Sequence, residues 1–70
     1  MFIRNYYNNT LVNVAHIVTV YISSPYLEQR DYRVYANLAF GYGNAILHRG
    51  TEESCAEYLA NFLKEVQNNG

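Results

Sequence analysis

Cysteine, lysine and aspartate are almost absent from this chain, and each scarcity removes a class of explanation. Cys55 is the single cysteine, so no internal disulfide braces the fold. His16 and His48 are the only imidazoles. With one thiol they fall short of the four ligands that a structural zinc takes, and no metal or cofactor is expected. Asp31 is the sole aspartate, so a paired-carboxylate site would have to come from the glutamates of the C-terminal segment. Lys64 is the one lysine and the net charge is −1, which argues against a general nucleic-acid binder. Long apolar runs are also missing. The longest, Val14 to Ile22, contains His16 and Thr19 and is far short of a membrane span. The opening MFIRNYYNN has no apolar signal core, so a cytoplasmic protein is expected.

What is present is a short, apolar, tyrosine-rich chain. Half of the 70 residues are hydrophobic, too many for a disordered chain, and eight are tyrosine against three phenylalanines and no tryptophan. This length gives one domain, residues 1–70. A chain of this size buries only about 60% of its unfolded surface, so its own core is marginal and oligomerisation is a common remedy.

One segment has clear helical periodicity, Thr51 to Gln67. Cys55, Tyr58, Leu59, Phe62, Leu63 and Val66 recur at helical spacing and draw one apolar stripe. Thr51 is a good N-cap, and Glu52 and Glu53 sit where the helix dipole favours negative charge. The capping box is incomplete, because Ser54 stands where Glu or Gln would complete it. Asn68-Asn69-Gly70 is expected to end the helix. Glu53, Glu57, Asn61 and Lys64 form its solvated face.

The rest reads as strands and turns. Phe2 to Tyr7 is a short edge strand and Asn8-Asn9 a turn pair. Leu11 to Ile22 is rich in β-branched residues and reads as strand, with a break near Asn13. Ser23-Ser24-Pro25 ends it and opens a loop to Asp31. Tyr32 to Phe40 is the next strand, with Tyr32, Val34, Ala36, Leu38 and Phe40 on one face. Gly41 to Asn44 is a hairpin turn with two glycines available for positive φ, and Ala45 to Arg49 is the last strand. The fold class is therefore α+β: an antiparallel sheet of three to four strands with one C-terminal amphipathic helix packed on one face, in the order ββββα.

A single helix covers one face of a sheet. Alternation assigns it Val18, Val20, Ile22, Val34, Leu38 and Phe40. The open face then shows Ile17, Tyr21, Tyr35 and Arg33, with Thr19 and Asn37, a composition seen at interfaces. Burying each large side chain contributes roughly 1.5–3 kcal/mol, enough in number to hold two copies together, so a homodimer through the sheet is expected. Any further protein partner would meet the acidic helix or the loop from Ser23 to Asp31. Charge is uneven along the chain: an acidic helix on a mildly basic sheet is one reading, and the weightier one is that a small protein must put its few charges somewhere. Arg4, Arg30, Arg33 and Arg49 outweigh Glu28 and Asp31 before residue 51, whereas Glu52, Glu53, Glu57 and Glu65 outweigh Lys64 after it.

Catalysis finds little support. Cys55 lies on the apolar stripe, where a free cysteine acts as a small hydrophobe, and nothing in the spacing brings His16 and His48 together. Gly41-Tyr42-Gly43 joins two strands and so is not a phosphate loop. The chain reads as a non-catalytic protein-interaction module. The alternative is a single-stranded nucleic-acid binder that stacks bases on Tyr21 and Tyr35 and holds phosphates on Arg33, Arg30 and Arg4.

Three features, taken together, resemble a group of small stand-alone bacterial and phage proteins built as a β-meander plus one helix. They are Asn13 before the apolar strand Val14 to Ile22, the glycine turn Gly41 to Asn44, and the helix start Thr51-Glu52-Glu53 followed by Ala56 and Leu59. Some phage proteins of this size inhibit host enzymes by occlusion, and the resemblance implies an inhibitor or regulator. It implies no functional residue. The tyrosine content and the longer loop from Ser23 to Asp31 depart from the group.

Overall fold

The computed structural model describes residues 1–26 and 30–69. Its elements are β1 (Phe2–Asn5), β2 (Thr10–Asn13), a 3-10 turn (Val14–His16), β3 (Ile17–Ser23), β4 (Tyr32–Leu38), a second 3-10 turn (Ala39–Gly41), β5 (Asn44–Gly50) and α1 (Glu52–Asn69). The architecture is the expected α+β one, with antiparallel strands and a C-terminal helix on one face. The strands divide into a β1-β2 hairpin and a three-stranded sheet ordered β3-β4-β5. The long apolar stretch breaks where Asn13 suggested. The Asn13 carboxamide oxygen accepts from the Ala15 N–H at 3.1 Å, which offers the backbone a cap in place of a ladder partner.

The hairpin turn is built on asparagine. Asn9 adopts φ 58°, and the Asn8 side chain accepts from the Thr10 hydroxyl at 2.6 Å. The pair Ile3 and Val12 points inward and packs against the same core as the main sheet. Asn5 joins the two sheets. It is the one buried polar residue among those described, and its carboxamide oxygen accepts from the Ile46 N–H at 3.1 Å and from the Tyr7 N–H at 3.0 Å. Tyr6 N–H then donates to the Ile46 carbonyl at 2.8 Å. The end of β1 is thereby held against the free edge of β5.

The core lies between the sheet and α1. Val34, Ala36, Ala45, Leu47 and Cys55 are almost wholly buried, with Val12 and Phe62 beside them. Of the helical stripe, Cys55, Tyr58, Phe62 and Val66 face this core. Leu59 is half-buried and Leu63 is 51% exposed, because the sheet is too narrow to reach the far side of the stripe. The Thr51 cap forms as expected: its hydroxyl accepts from the Ser54 N–H at 3.1 Å, and its carbonyl accepts from the Cys55 N–H at 3.0 Å. The helix continues two residues past Gln67, through Asn68 and Asn69, which the sequence reading had outside it. At Gly50 a Cβ would meet the Ser54 hydroxyl, so a side chain there would displace that hydroxyl from its contacts with Thr51 and His48.

Two bulges interrupt strict alternation, and the one in β3 corrects the faces expected from the sequence. In β3 the register shifts between Ile17 and Thr19: Ile17 pairs with Leu38, and Val18 is the extra residue. Ile17 therefore packs toward the core instead of on the open face, and Val18, expected inside, is 66% exposed. In β5 the shift falls between the partners of Val34 and Tyr35, with Leu47 extra. Ile46 stays on the open side opposite Tyr35, and the extra residue turns His48 to the helix. Phe40 is a third correction. It was expected on the core face, but β4 ends at Leu38 and Phe40 sits in the turn at φ 60°, 84% exposed. Gly41 and Gly43 take φ 75° and 85°, as the turn assignment anticipated.

Candidate interaction surface

The face of the sheet away from α1 starts from the alternation of β4. Val34 and Ala36 point into the core, so Arg33, Tyr35 and Asn37 point out. Their partners on β3 are Ser23, Tyr21 and Thr19. The rings of Tyr21 and Tyr35 stack with centroids 5.6 Å apart and 19° between planes. Asn37 donates its amide to the Thr19 hydroxyl at 2.8 Å. Tyr21 is 42% exposed and Tyr35 half-buried, so the pair offers one ring to solvent and supports it with the other.

Three of the four residues expected on this face, Tyr21, Tyr35 and Arg33, lie on it; Ile17 does not. Three others join it unread. Tyr7, Asn44 and Ile46 line a concavity of about 420 Å³ with Arg33 and Tyr35. Ile46 reaches this side by the hairpin register, which sets it opposite Tyr35 ahead of the β5 bulge, and Tyr7 through the Asn5 joint. No local pattern in the sequence announces the Tyr7 contact, whereas Ile46 follows from alternation with the buried Ala45.

The charges of the face are largely spoken for. Arg33 and Arg49 are directly opposite each other on β4 and β5, an unfavourable pairing of like charges. Asp31 sits between them, 3.4 Å from Arg33 Nε and 3.5 Å from Arg49 Nε. Tyr35 first, and Asp31 after it, hold the Arg33 guanidinium in its charged form. The sole aspartate of the chain thus makes the juxtaposition tolerable, and the three side chains together keep one net positive charge.

The candidates for chemistry are placed elsewhere and apart. Cys55 is fully buried, and burial pushes its thiol pKa up, opposite to what a nucleophile needs. His48 stacks on Tyr58 with centroids 4.9 Å apart, and its Nε2 lies 3.2 Å from the Ser54 hydroxyl. This histidine–serine contact has no signature in the spacing of the residues. Ser54 Oγ also lies 3.1 Å from the Thr51 carbonyl, which has no proton to give. The hydroxyl has one hydrogen for these two neighbours, and the tautomer of the His48 ring sets which of them receives it. The contact ties β5 to the start of α1. His16 is exposed at the other end of the sheet, with Phe40 and Tyr42 at 6.0 and 6.2 Å between ring centroids. Among the described residues no group of three or more His, Cys, Asp or Glu could hold a metal ion. No helix among them is long and apolar enough to cross a membrane.

Comparisons with family models, curated proteins and solved structures give no match to this chain.

Proposed function

We propose that this chain is a non-catalytic protein-interaction module that acts as a homodimer in the cytoplasm, with the open side of its sheet as the working surface. The observation that carries the reading is the stacked Tyr21–Tyr35 pair, set beside the concavity of Tyr7, Arg33, Tyr35, Asn44 and Ile46 and opposite a helix that already closes the other side. Aromatic side chains supply contact area at little entropic cost, and an arginine already neutralised by Asp31 loses less on desolvation than a free one. The residues that would serve catalysis are buried, distant from one another or engaged in structural contacts. A module of this kind works by covering a partner's surface. That agrees with the inhibitor or regulator role implied by the likeness to small phage and bacterial proteins.

Light scattering tests the reading. The wild-type chain should show about twice its 8.1 kDa mass at micromolar concentration, and Tyr21→Glu combined with Tyr35→Glu should show the single mass with its circular dichroism retained. A wild-type monomer throughout that range contradicts the homodimer.

The second reading, single-stranded nucleic-acid binding, rests on the same stacked tyrosines with Arg33 alongside. Asp31 between Arg33 and Arg49 weighs against it, because a carboxylate at that place repels phosphate. Titration of a labelled oligonucleotide at low salt decides: absence of binding removes this reading.

A further inference from the structure

Thr19 to Ser23 in β3 reads the same in both directions by chemical type: hydroxyl, branched aliphatic, tyrosine, branched aliphatic, hydroxyl. The segment lies on an outer edge of the sheet. Among the described residues its only strand neighbour is β4, and no backbone hydrogen bond runs from it to any other element. Edge strands of soluble proteins are ordinarily protected by charge, proline, cover or a bulge. This one has no charged residue and no proline, and its bulge falls at Val18, outside the regular segment.

We infer that two copies of the chain join edge to edge through β3, antiparallel about a two-fold axis at Tyr21, to make one six-stranded sheet. The inference rests on the homodimer reading above and specifies its geometry. In this register Thr19 of each copy faces Ser23 of the other, Val20 faces Ile22, and Tyr21 faces Tyr21, so every pair matches in kind and in face. Thr19 and Ser23 exchange hydroxyl contacts on the open side. Val20 and Ile22, half-buried at the rim of the core, gain cover on the helix side. A register centred on Val20 would draw in Val18, which the bulge has already taken out of the ladder.

The match also explains why the partner is a second copy and not an unrelated strand. A two-fold interface brings each patch against itself, and only a segment that is chemically palindromic about the axis can satisfy that at every position. Like charges stay apart, because Arg33 pairs with Ser23 and the two arginines fall at opposite ends of the shared segment. The consequence is a continuous tyrosine row. Tyr35 stacks on Tyr21, which meets Tyr21 and then Tyr35 of the second copy. The row spans the joined open faces and leaves them free for a larger partner, in the manner of strand-addition complexes.

Cysteine cross-linking in the full chain tests this, with native Cys55 inert because it is buried. Tyr21→Cys should form a covalent dimer on mild oxidation, since residues facing each other across an antiparallel pair approach within about 5.5 Å. Tyr35→Cys should not, because three strand spacings, about 14 Å, separate the two positions. A pair of charge variants gives an independent reading. Thr19→Lys with Ser23→Lys should weaken the dimer at least tenfold, whereas Thr19→Lys with Ser23→Glu should retain it, each new lysine facing a new glutamate. Cross-linking of Tyr35→Cys in place of Tyr21→Cys, or equal dimerisation of the two charge variants, overturns the edge pairing and leaves the homodimer standing. A wild-type monomer overturns both.

Discussion

The two sides of the three-stranded sheet have nearly the same backbone and opposite economies of contact. On the helix side Val34, Ala36, Ala45 and Leu47 are all at or below 1% exposure and meet Cys55 and Phe62. On the other side the most buried residue is Ile46 at 6%, and around it are hydroxyls, amides, a neutralised arginine and stacked tyrosines. Among the described residues no buried polar side-chain atom lacks a partner. The open side offers polar groups, aromatic rings and a concavity. A sheet of this size can assign one side to stability and keep the other for association, and substitutions on the two sides should differ in what they damage.

The largest effect belongs to the helix side. Phe62→Asp should prevent folding, because it places a charge among residues with no water to receive it. Phe62→Ala should fold with a loss of roughly 3–5 kcal/mol. Leu59→Asp should be milder than Phe62→Asp, since Leu59 is half-buried and lies off the core cluster. Thermal melts followed by circular dichroism give the ranking, and an equal collapse of Leu59→Asp and Phe62→Asp would mean that the helix is rotated from the face described.

Asn5→Ala comes next. It leaves the buried Ile46 N–H without its acceptor and should cost roughly 1–3 kcal/mol in a urea titration. The loss should appear as release of the β1-β2 hairpin, with faster amide exchange at Tyr6 and Tyr7 than in α1. Uniform acceleration would show that the hairpin is not a separable unit.

Cys55→Ser should cost about 1–2 kcal/mol, as a hydroxyl enters a site shaped for a thiol, and should leave association intact. The same thiol sets an alkaline limit. Its folded pKa lies above the ordinary 9.0, so the folded state keeps a proton that the unfolded chain gives up between the two values. The contribution of Cys55 is therefore complete below the ordinary value and is lost as pH rises through the folded one. Tyr32, held up chiefly by the Glu52 carboxylate, and Tyr58, held up by burial, act in the same direction above the ordinary 10.0. Stability measured against pH should fall on the alkaline side, and Cys55→Ala should flatten the onset of that fall. A fall that begins on the acid side of neutrality instead would refute this assignment.

The smallest effect on folding belongs to the open side. Tyr35→Glu should cost about 1 kcal/mol, the order of a stacked aromatic pair, and leave both the fold and the β3 edge pairing in place. Loss of fold in this variant would place Tyr35 with the core and erase the distinction between the two sides.

Much of this division is legible in the sequence, because it rests on local signals. The helix announces itself by period and by the Thr51 cap, the turns by Asn8-Asn9 and Gly41 to Asn44, and the face of β4 by the alternation of Arg33, Val34, Tyr35 and Ala36. What escaped depends on events that alternation does not encode. A single extra residue in β3 exchanged Ile17 and Val18, and another in β5 sent Ile46 and His48 to opposite sides. The position of Phe40 followed from where the ladder stops, which Gly43 decides by accepting the Leu38 N–H at 2.8 Å. The concavity at Tyr7 needed the long-range Asn5–Ile46 bond, across 41 positions, which no window of the sequence contains. The expected use of the loop from Ser23 to Asp31 falls partly on residues 27–29, outside the described residues.

Hydrogen exchange of the wild-type chain as a function of its own concentration tests the central claim most directly. The account predicts that dilution strips protection from the outward amides of Thr19 to Ser23 while β4, β5 and α1 keep theirs. Protection in β3 that does not change with concentration, or loss spread equally over the helix and all three strands, would contradict it.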